Sequence, residues 1–212
     1  MTEDNQIARH IALSLLNIGA IKLNMDEPFT WASGWKSPIY CDNRLALSFP
    51  KIRDYIKQAL ASTVVRTFGG PEAIAGVATA GIPQGTLVAD VLGLPFIYVR
   101  SKPKAHGLTN QIEGMIVEGQ KVVVIEDLVS TGGSSIKAVE ALRAANLQVM
   151  GMVSIFTYGF EVAFQNFRDA GINYVSLSDY NILIEVALEN NIILEQQIEN
   201  LKAWRENPGS WQ

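Results

Sequence analysis

The sequence predicts an α/β protein in which a central parallel sheet is flanked by helices. Short apolar runs alternate with segments of helical periodicity from about residue 70 onward, and this alternation is typical of parallel sheets that are covered on both faces. Hydrophobic residues make up 48% of the 212 residues, which is enough for a sizeable core. No repeat or linker divides the chain, so we expect a single domain over residues 1–212.

The individual elements are predicted in chain order. Helical spacing of apolar residues indicates a first helix over about 5–18, and a second from about 54 that ends at Gly69 and Gly70. Residues 29–44 favour turns, with one short strand near Ile39–Cys41. Further strands are expected at 73–77, 96–99, 122–125, 149–155 and 174–176, and further helices at 84–91, 136–145, 162–170, 180–188 and 192–204.

Composition excludes several classes of protein. The formal net charge of −4 argues against non-specific binding of nucleic acid. No apolar run approaches the roughly 18–20 residues needed to span a bilayer, and the acidic first residues are not a targeting signal. Cys41 is the only cysteine, so an intrachain disulfide is excluded and we expect its thiol to serve in packing. A cytoplasmic protein is the expectation.

The strongest motif is the segment 122–134. A β-branched strand ends in Glu126 and Asp127, and a turn of Ser, Thr and Gly leads into a helix. Backbone N–H groups in such a turn, together with the helix N-terminus, favour a phosphate. Carboxylates suit the hydroxyl donors of a sugar, so the segment predicts a sugar-phosphate site. The alternative is a plain junction in which Ser130 or Thr131 caps the helix.

Basic residues concentrate in one segment of this acidic chain, at Arg100, Lys102, Lys104 and His106. Residues 101–111 show no apolar periodicity, and loops of this length are usually functional or disordered. If this segment closes over a bound anion during a reaction, its positive charges would stabilise the negative charge that grows on a leaving group. The segment therefore predicts contact with an anionic leaving group. The alternative is a solvated charged hairpin.

A third segment, residues 78–83, contains Thr79 and Ala80 in a turn of small residues. Small side chains let backbone amides approach an anion closely. The alternative is a tight turn that merely starts a helix.

These segments together resemble a known family. The strand, acid pair and turn resemble the phosphoribosyl-pyrophosphate motif of the type I phosphoribosyltransferases. Residues 29–44 resemble the hood, and residues 100–107 the mobile catalytic loop, of the orotate phosphoribosyltransferase family, in which the position of 78–83 binds pyrophosphate. The resemblance runs from about residue 20 to the last helix. It implies a type I phosphoribosyltransferase-like fold with a small N-terminal hood formed mainly by about 20–45.

The resemblance also implies a reaction. The 5-phosphoribosyl group of phosphoribosyl pyrophosphate would be transferred to orotate, giving orotidine 5′-phosphate and pyrophosphate in de novo pyrimidine (UMP) biosynthesis. Mg²⁺ would be bound by the pyrophosphate of the substrate and would have no direct protein ligand. A water molecule could link the ion to Asp127. The implied assembly is a homodimer with shared active sites, and no nucleic acid or membrane is an expected partner. The alternatives are a purine phosphoribosyltransferase or a phosphoribosyl-pyrophosphate-sensing regulator of the same fold.

Individual roles follow from the same resemblance, which makes Lys104, His106 and Asp127 catalytic. Phosphoribosyl pyrophosphate would contact Arg100, Lys102, Lys104, His106, Glu126, Asp127, Leu128, Val129, Ser130, Thr131, Gly132, Gly133, Ser134, Thr79 and Ala80. Orotate would contact Ser130, Lys36, Ser33 and Tyr40. The chain departs from the family at Ala32, where many members have lysine, and at Tyr158, where some have arginine. The resemblance therefore does not assign a cation to the orotate carboxylate.

Overall fold

The computed structural model describes residues 2–31, 34–101 and 111–211. Its helices are α1 (Glu3–Asn17), α2 (Pro50–Phe68), α3 (Gly81–Leu92), α4 (Gly133–Ala144), α5 (Glu161–Asp169), α6 (Tyr180–Glu189) and α7 (Ile198–Glu206), with 3-10 helices at Asn43–Ser48 and Glu195–Gln197. Its strands are β1 (Ile21–Leu23), β2 (Phe29–Thr30), β3 (Lys36–Ser37), β4 (Ile39–Cys41), β5 (Ala73–Val77), β6 (Phe96–Val99), β7 (Ile112–Glu113), β8 (Lys121–Val129), β9 (Gln148–Thr157) and β10 (Tyr174–Asp179). No helix within these ranges is long and apolar enough to cross a membrane.

The central sheet has the strand order β10-β9-β8-β5-β6-β7. All neighbouring pairs are parallel except β6 and β7, which are antiparallel at one edge. The core lies on both faces, with α1, α2, α3, α6 and α7 contributing to one cluster and α4 and α5 to the other. Residues 122–125 are fully buried, as expected of a β-branched strand in the middle of a parallel sheet.

A step in this sheet opens space at the carboxyl ends of the strands. The pairing of β5 with β8 ends where Gly76 meets Ile125, whereas β8 continues along β9 until Val129 meets Thr157. After β5 the chain turns into α3, and Gly81 lies so close to β8 that a Cβ there would be 2.5 Å from the Ile125 carbonyl oxygen. Glycine at this position therefore lets α3 approach the site.

The predicted α/β architecture is confirmed, but several boundaries were wrong. The acid pair does not terminate β8, because pairing with β9 carries the strand on to Val129. The second helix begins at Pro50, whose fixed φ suits the first helical turn. The predicted helix over 192–204 is a 3-10 turn followed by α7.

The N-terminal hood contains more strand than the sequence predicted. The strand at Ile39–Cys41 is confirmed and pairs antiparallel with β1. Strands β1, β2 and β3 and the edge strand β7 were missed, because each has only two or three residues and carries no periodicity.

Candidate active site

The turn between β8 and α4 forms a cavity of about 140 Å³ that is lined by residues 128–135. Gly132 has a φ of 80°, and a Cβ on it would lie 2.9 Å from the Phe167 ring. Among the described residues, no acceptor receives the backbone N–H groups of Ser130, Thr131 or Gly132. No side chain caps α4, so the capping alternative is wrong. The turn presents unpaired amide donors to whatever enters the cavity.

The acid pair differs in exposure. Glu126 is 5% exposed, whereas Asp127 is partly open. The Glu126 carboxylate accepts from the Asp127 N–H at 3.0 Å and from the Ser135 hydroxyl at 3.3 Å. Burial, reinforced by the charge of Asp127, raises the pKa of Glu126 well above its usual range. Burial also raises the pKa of Asp127. Because its side chain is less buried than that of Glu126, Asp127 is the acid of this pair that is more open to a ligand.

The hood lies directly against the acid pair. Asn43 is completely buried, and its amide donates to the Asp127 carbonyl oxygen at 2.7 Å. The Cys41 thiol donates to the other end of that amide at 3.3 Å. Cys41 is therefore partly buried and hydrogen-bonded instead of lying in purely apolar packing. Burial and the nearby Asp127 raise the pKa of the thiol, which keeps it protonated.

An aromatic cluster holds the hood against the end of β9 and against α7. The ring of Trp31 lies 4.9 Å from that of Tyr158 and 5.6 Å from that of Trp204. The Trp31 indole donates to the Ile39 carbonyl, and the Trp204 indole donates to the Lys36 carbonyl at 3.2 Å. Burial raises the pKa of Tyr158 and keeps its phenol neutral. Tyr158 is thus part of the hood's packing.

The predicted orotate residues of the hood lie near this cluster. Lys36 is exposed and donates to the Thr30 hydroxyl at 2.8 Å, across β2 and β3. Tyr40 is 41% exposed and its ring lies 5.7 Å from that of Phe29. Both side chains are accessible, but Lys36 already has a hydroxyl partner.

A second cavity of about 250 Å³ lies beside this turn between β8 and α4, which we call the phosphate turn after its predicted ligand. It is bounded by Ala78 at the small-residue turn, by Arg100 at the end of β6, and by Ser134 and Lys137 on α4. Because Ser134 also lines the first cavity, the two cavities are neighbours. Thr79 is exposed and Ala80 partly exposed at the same turn, directly before α3.

Arg100 lies at one end of the basic segment. Its N–H donates to the Gln111 carbonyl at 2.9 Å and its carbonyl accepts from the Gln111 side chain at 2.7 Å, which brings the two ends of the segment together. The guanidinium forms an ion pair with Glu113 at 3.5 Å, which is long for a hydrogen bond. Lys102, Lys104, His106 and, in the hood, Ser33 lie outside the described residues.

Sequence reasoning missed two residues of this region. Asn43 stands directly after the hood strand, and only the packed structure shows that its partner is Asp127. Lys137 follows Ser134 by one helical turn, so the periodicity of α4 was a signal for it. Two cavities of about 470 and 450 Å³ lie elsewhere, between α1, α2 and β10 and between α6 and α7, and contain none of the predicted site residues.

The fold is that of an α/β protein of the type I phosphoribosyltransferase class. A sequence model of the phosphoribosyl transferase domain matches residues 47–170. The orotate phosphoribosyltransferase of Cytophaga hutchinsonii is 56% identical over 203 residues, which cover 96% of this chain and 97% of that protein. The protein of the same name from Porphyromonas gingivalis is 55% identical over 205 residues, covering 97% and 98% of the two chains. The chain belongs to the orotate phosphoribosyltransferase family.

Solved structures agree with this assignment. The crystal structure of orotate phosphoribosyltransferase from Aeropyrum pernix is 30% identical, with a TM-score of 0.74, and the match covers 82% of this chain and 96% of that one. The structure of Leishmania donovani UMP synthase is 27% identical, with a TM-score of 0.78, and the match covers 93% of this chain and 42% of that one. The predicted family and fold class are confirmed.

Proposed function

We propose that this chain transfers the 5-phosphoribosyl group of phosphoribosyl pyrophosphate to orotate, in pyrimidine biosynthesis. The observation that carries the proposal is the row of unpaired amides at residues 130–132 beside the Glu126 and Asp127 carboxylates. An anion fits the amides and sugar hydroxyls fit the acids. The relatives named orotate phosphoribosyltransferase, which match nearly the whole chain, support orotate as the acceptor.

The 5′-phosphate end of the donor occupies the turn from Leu128 to Ser134 in this proposal. Ser130, Thr131, Gly132 and Gly133 supply backbone N–H groups, and the start of α4 adds the positive end of its dipole. The buried Val129 carbonyl already accepts from Tyr158 N–H. The carbonyl of Val129 is therefore already used as an acceptor within the fold, and in this proposal the residue shapes the cradle. Asp127, with Glu126 behind it, accepts from the ribose hydroxyls and fixes C1′ toward the hood.

The pyrophosphate end occupies the neighbouring cavity. Ala78 lines this cavity, and Thr79 and Ala80 follow it in the same turn, where we propose that their backbone amides bind the anion. Arg100 offers a guanidinium whose ion pair with Glu113 is long. Lys102, Lys104 and His106 complete the anion site in this proposal, because they follow Arg100 in the basic segment. Cations around the leaving group stabilise the charge that grows on it as its bond to C1′ breaks.

In this proposal orotate lies between the hood and the phosphate turn and contacts Ser130, Lys36 and Tyr40. The predicted contact with Ser33 falls outside the described residues. The ring nitrogen of orotate forms the new bond to C1′ and gives up its N–H proton to the departing pyrophosphate, which leaves with the electron pair of the broken C1′–O bond. The aromatic cluster around Trp31 keeps the hood rigid and so limits water near the electrophilic carbon.

The described residues fit a magnesium ion that is bound mainly by the phosphates of the substrate. Among residues 2–31, 34–101 and 111–211, no group of three or more His, Cys, Asp or Glu side chains is placed to hold a metal ion. Mg²⁺ commonly keeps several waters and binds through one or two carboxylates plus substrate phosphates. Asp127 is the partly open carboxylate here and would hold the ion through water. The bound ion would neutralise charge on the pyrophosphate.

Assembly and location stay predictions. We infer a single domain over residues 1–212, a homodimer in which the basic segment of one subunit completes the site of the other, and a cytoplasmic reaction. Sedimentation of the full chain tests the dimer. Mixing a variant of the basic segment with a variant of Asp127, each inactive alone, tests the shared site, because a mixed dimer would regain one intact site.

The substrate assignment is tested by a spectrophotometric assay with phosphoribosyl pyrophosphate and Mg²⁺. Orotate is expected to be consumed, and uracil, hypoxanthine and adenine are the comparison bases. Turnover of a purine without orotate would instead support the purine alternative. Tight binding of phosphoribosyl pyrophosphate without turnover of any base would support the regulator.

A further inference from the structure

Asn43 is a buried amide whose two ends are both used. Its side chain is 0% exposed, at the start of the 3-10 helix that follows β4. The Nδ2 group donates to the Asp127 carbonyl at 2.7 Å, and Oδ1 accepts from the Cys41 thiol at 3.3 Å. A short, buried hydrogen bond of this kind is costly to break, because the remaining partner is left without water.

The location of the acceptor gives this bond its importance. Asp127 lies beyond Ile125, which is the last residue of β8 paired with β5. The hood, 84 positions earlier in the sequence, supplies the donor to its carbonyl oxygen. One side chain therefore connects the main chain of the acid pair to the segment that carries Tyr40.

We propose that Asn43 is a positioning residue that acts through Asp127, holding the sugar-binding acid at a fixed distance from the hood. The inference rests on the proposed function. Asn43 itself is buried and touches no substrate. Its contribution is to keep C1′ of the sugar aligned with the ring nitrogen of the base, and misplacements near 1 Å can lower a rate by about 10²-fold.

Two substitutions separate hydrogen bonding from packing. Asn43→Asp keeps the size of the side chain but turns an oxygen toward the Asp127 carbonyl, where two acceptors face each other. Asn43→Ala removes both ends of the bond. For both variants we expect kcat to fall by roughly 10- to 100-fold, with the KM for orotate within about threefold of the parent value.

A matched control is available in the same hood. Ser37 is also 0% exposed, and its hydroxyl donates to the Ile39 carbonyl at 2.8 Å. In the described ranges its side chain makes no hydrogen bond to β8. Ser37→Ala therefore removes a buried hood hydrogen bond without touching Asp127, and we expect its kcat to stay within about twofold of the parent value.

The measurements are steady-state kinetics, thermal unfolding, and calorimetric binding of phosphoribosyl pyrophosphate with Mg²⁺. Asn43→Asp is expected to weaken that binding by about tenfold or more, which is a readout that needs no orotate. Parent-like kcat and binding in Asn43→Asp would overturn the inference. An equal loss in Ser37→Ala would also overturn it, since general loosening of the hood would then explain both. A parent chain that binds phosphoribosyl pyrophosphate but does not consume orotate would count against the proposed function alone.

Discussion

In this proposal the phosphate turn binds the 5′-phosphate of the donor and the hood binds orotate. The two regions are built in different ways. The turn is local, because residues 126–135 supply the acids, the amides and the start of α4 within one stretch of chain. The hood is assembled over long distances, since Trp204 bonds to a carbonyl 168 positions away and Asn43 bonds across 84. Main-chain groups dominate the first region and aromatic side chains dominate the second.

The difference suggests how each region tolerates change. A cradle made of backbone donors depends on φ and ψ, so it is sensitive to glycine replacement and indifferent to most side-chain chemistry. A hood fixed by packed rings depends on volume and on a few indole donors. The predictions below test this contrast, beginning with the largest effect.

Removal of the Trp204 ring is expected to detach the hood. Trp204 is fully buried, and its ring lies 5.5 Å from those of Phe160 and Tyr180. Trp204→Ala should lower the free energy of unfolding by about 3–5 kcal/mol, the usual cost of deleting a buried aromatic side chain. Chemical denaturation measures the loss.

Trp204→Phe refines that experiment by keeping a ring while removing the donor to the Lys36 carbonyl. A cost of about 0.5–1.5 kcal/mol and a raised KM for orotate are expected, with the KM for phosphoribosyl pyrophosphate unchanged. If both KM values rose equally, the two regions would not be separable.

Gly132→Ala is expected to damage the turn and spare the hood. Its φ of 80° and the approach of Phe167 leave no room for a methyl group, and a non-glycine residue in such a conformation costs about 1–3 kcal/mol. Binding of phosphoribosyl pyrophosphate should weaken, as measured by calorimetry. Gly133→Ala is the control for folding, because no heavy atom lies within 4 Å of a Cβ there and the melting temperature should hardly change. Equal destabilisation by both variants would contradict the role of φ.

Glu126→Gln is expected to lower the activity and to raise the stability of the protein. Burial raises the folded-state pKa of Glu126, so the folded protein binds more protons than the unfolded chain at pH values above the unfolded pKa of about 4.3. The contribution of Glu126 to the free energy of unfolding is therefore lost as the pH rises from the unfolded pKa through the raised folded pKa. The neutral amide removes this loss.

The gain from Glu126→Gln should consequently grow with pH and reach the order of 1 kcal/mol at neutral pH, while kcat falls. Unfolding curves at several pH values measure it, and Asp127→Asn is the comparison variant. A stability difference that stayed constant with pH would show that Glu126 is ionised as easily in the folded protein as in the unfolded chain.

The sequence predicted the local region well and the assembled region poorly. The β8 turn was recognised because strand, acids, small residues and helix follow one another within the segment 122–145. The end of β8 was predicted wrongly, because charged residues are typical of a strand terminus and only the structure shows that pairing with β9 continues past them. Asn43 could not be found, since nothing in residues 39–44 indicates that a buried carbonyl on β8 needs a donor.

The placement of the indoles offers a built-in optical probe. The chain has four tryptophans, and Trp31, Trp35, Trp204 and Trp211 all lie in the hood or near α7. Trp211 donates to Asn200 on α7, and Gly209 lies against the Trp35 ring. Intrinsic emission of the unlabelled protein therefore comes from one corner of the molecule. Movement of that corner during titration with each substrate can be followed by ordinary fluorimetry, without an introduced dye.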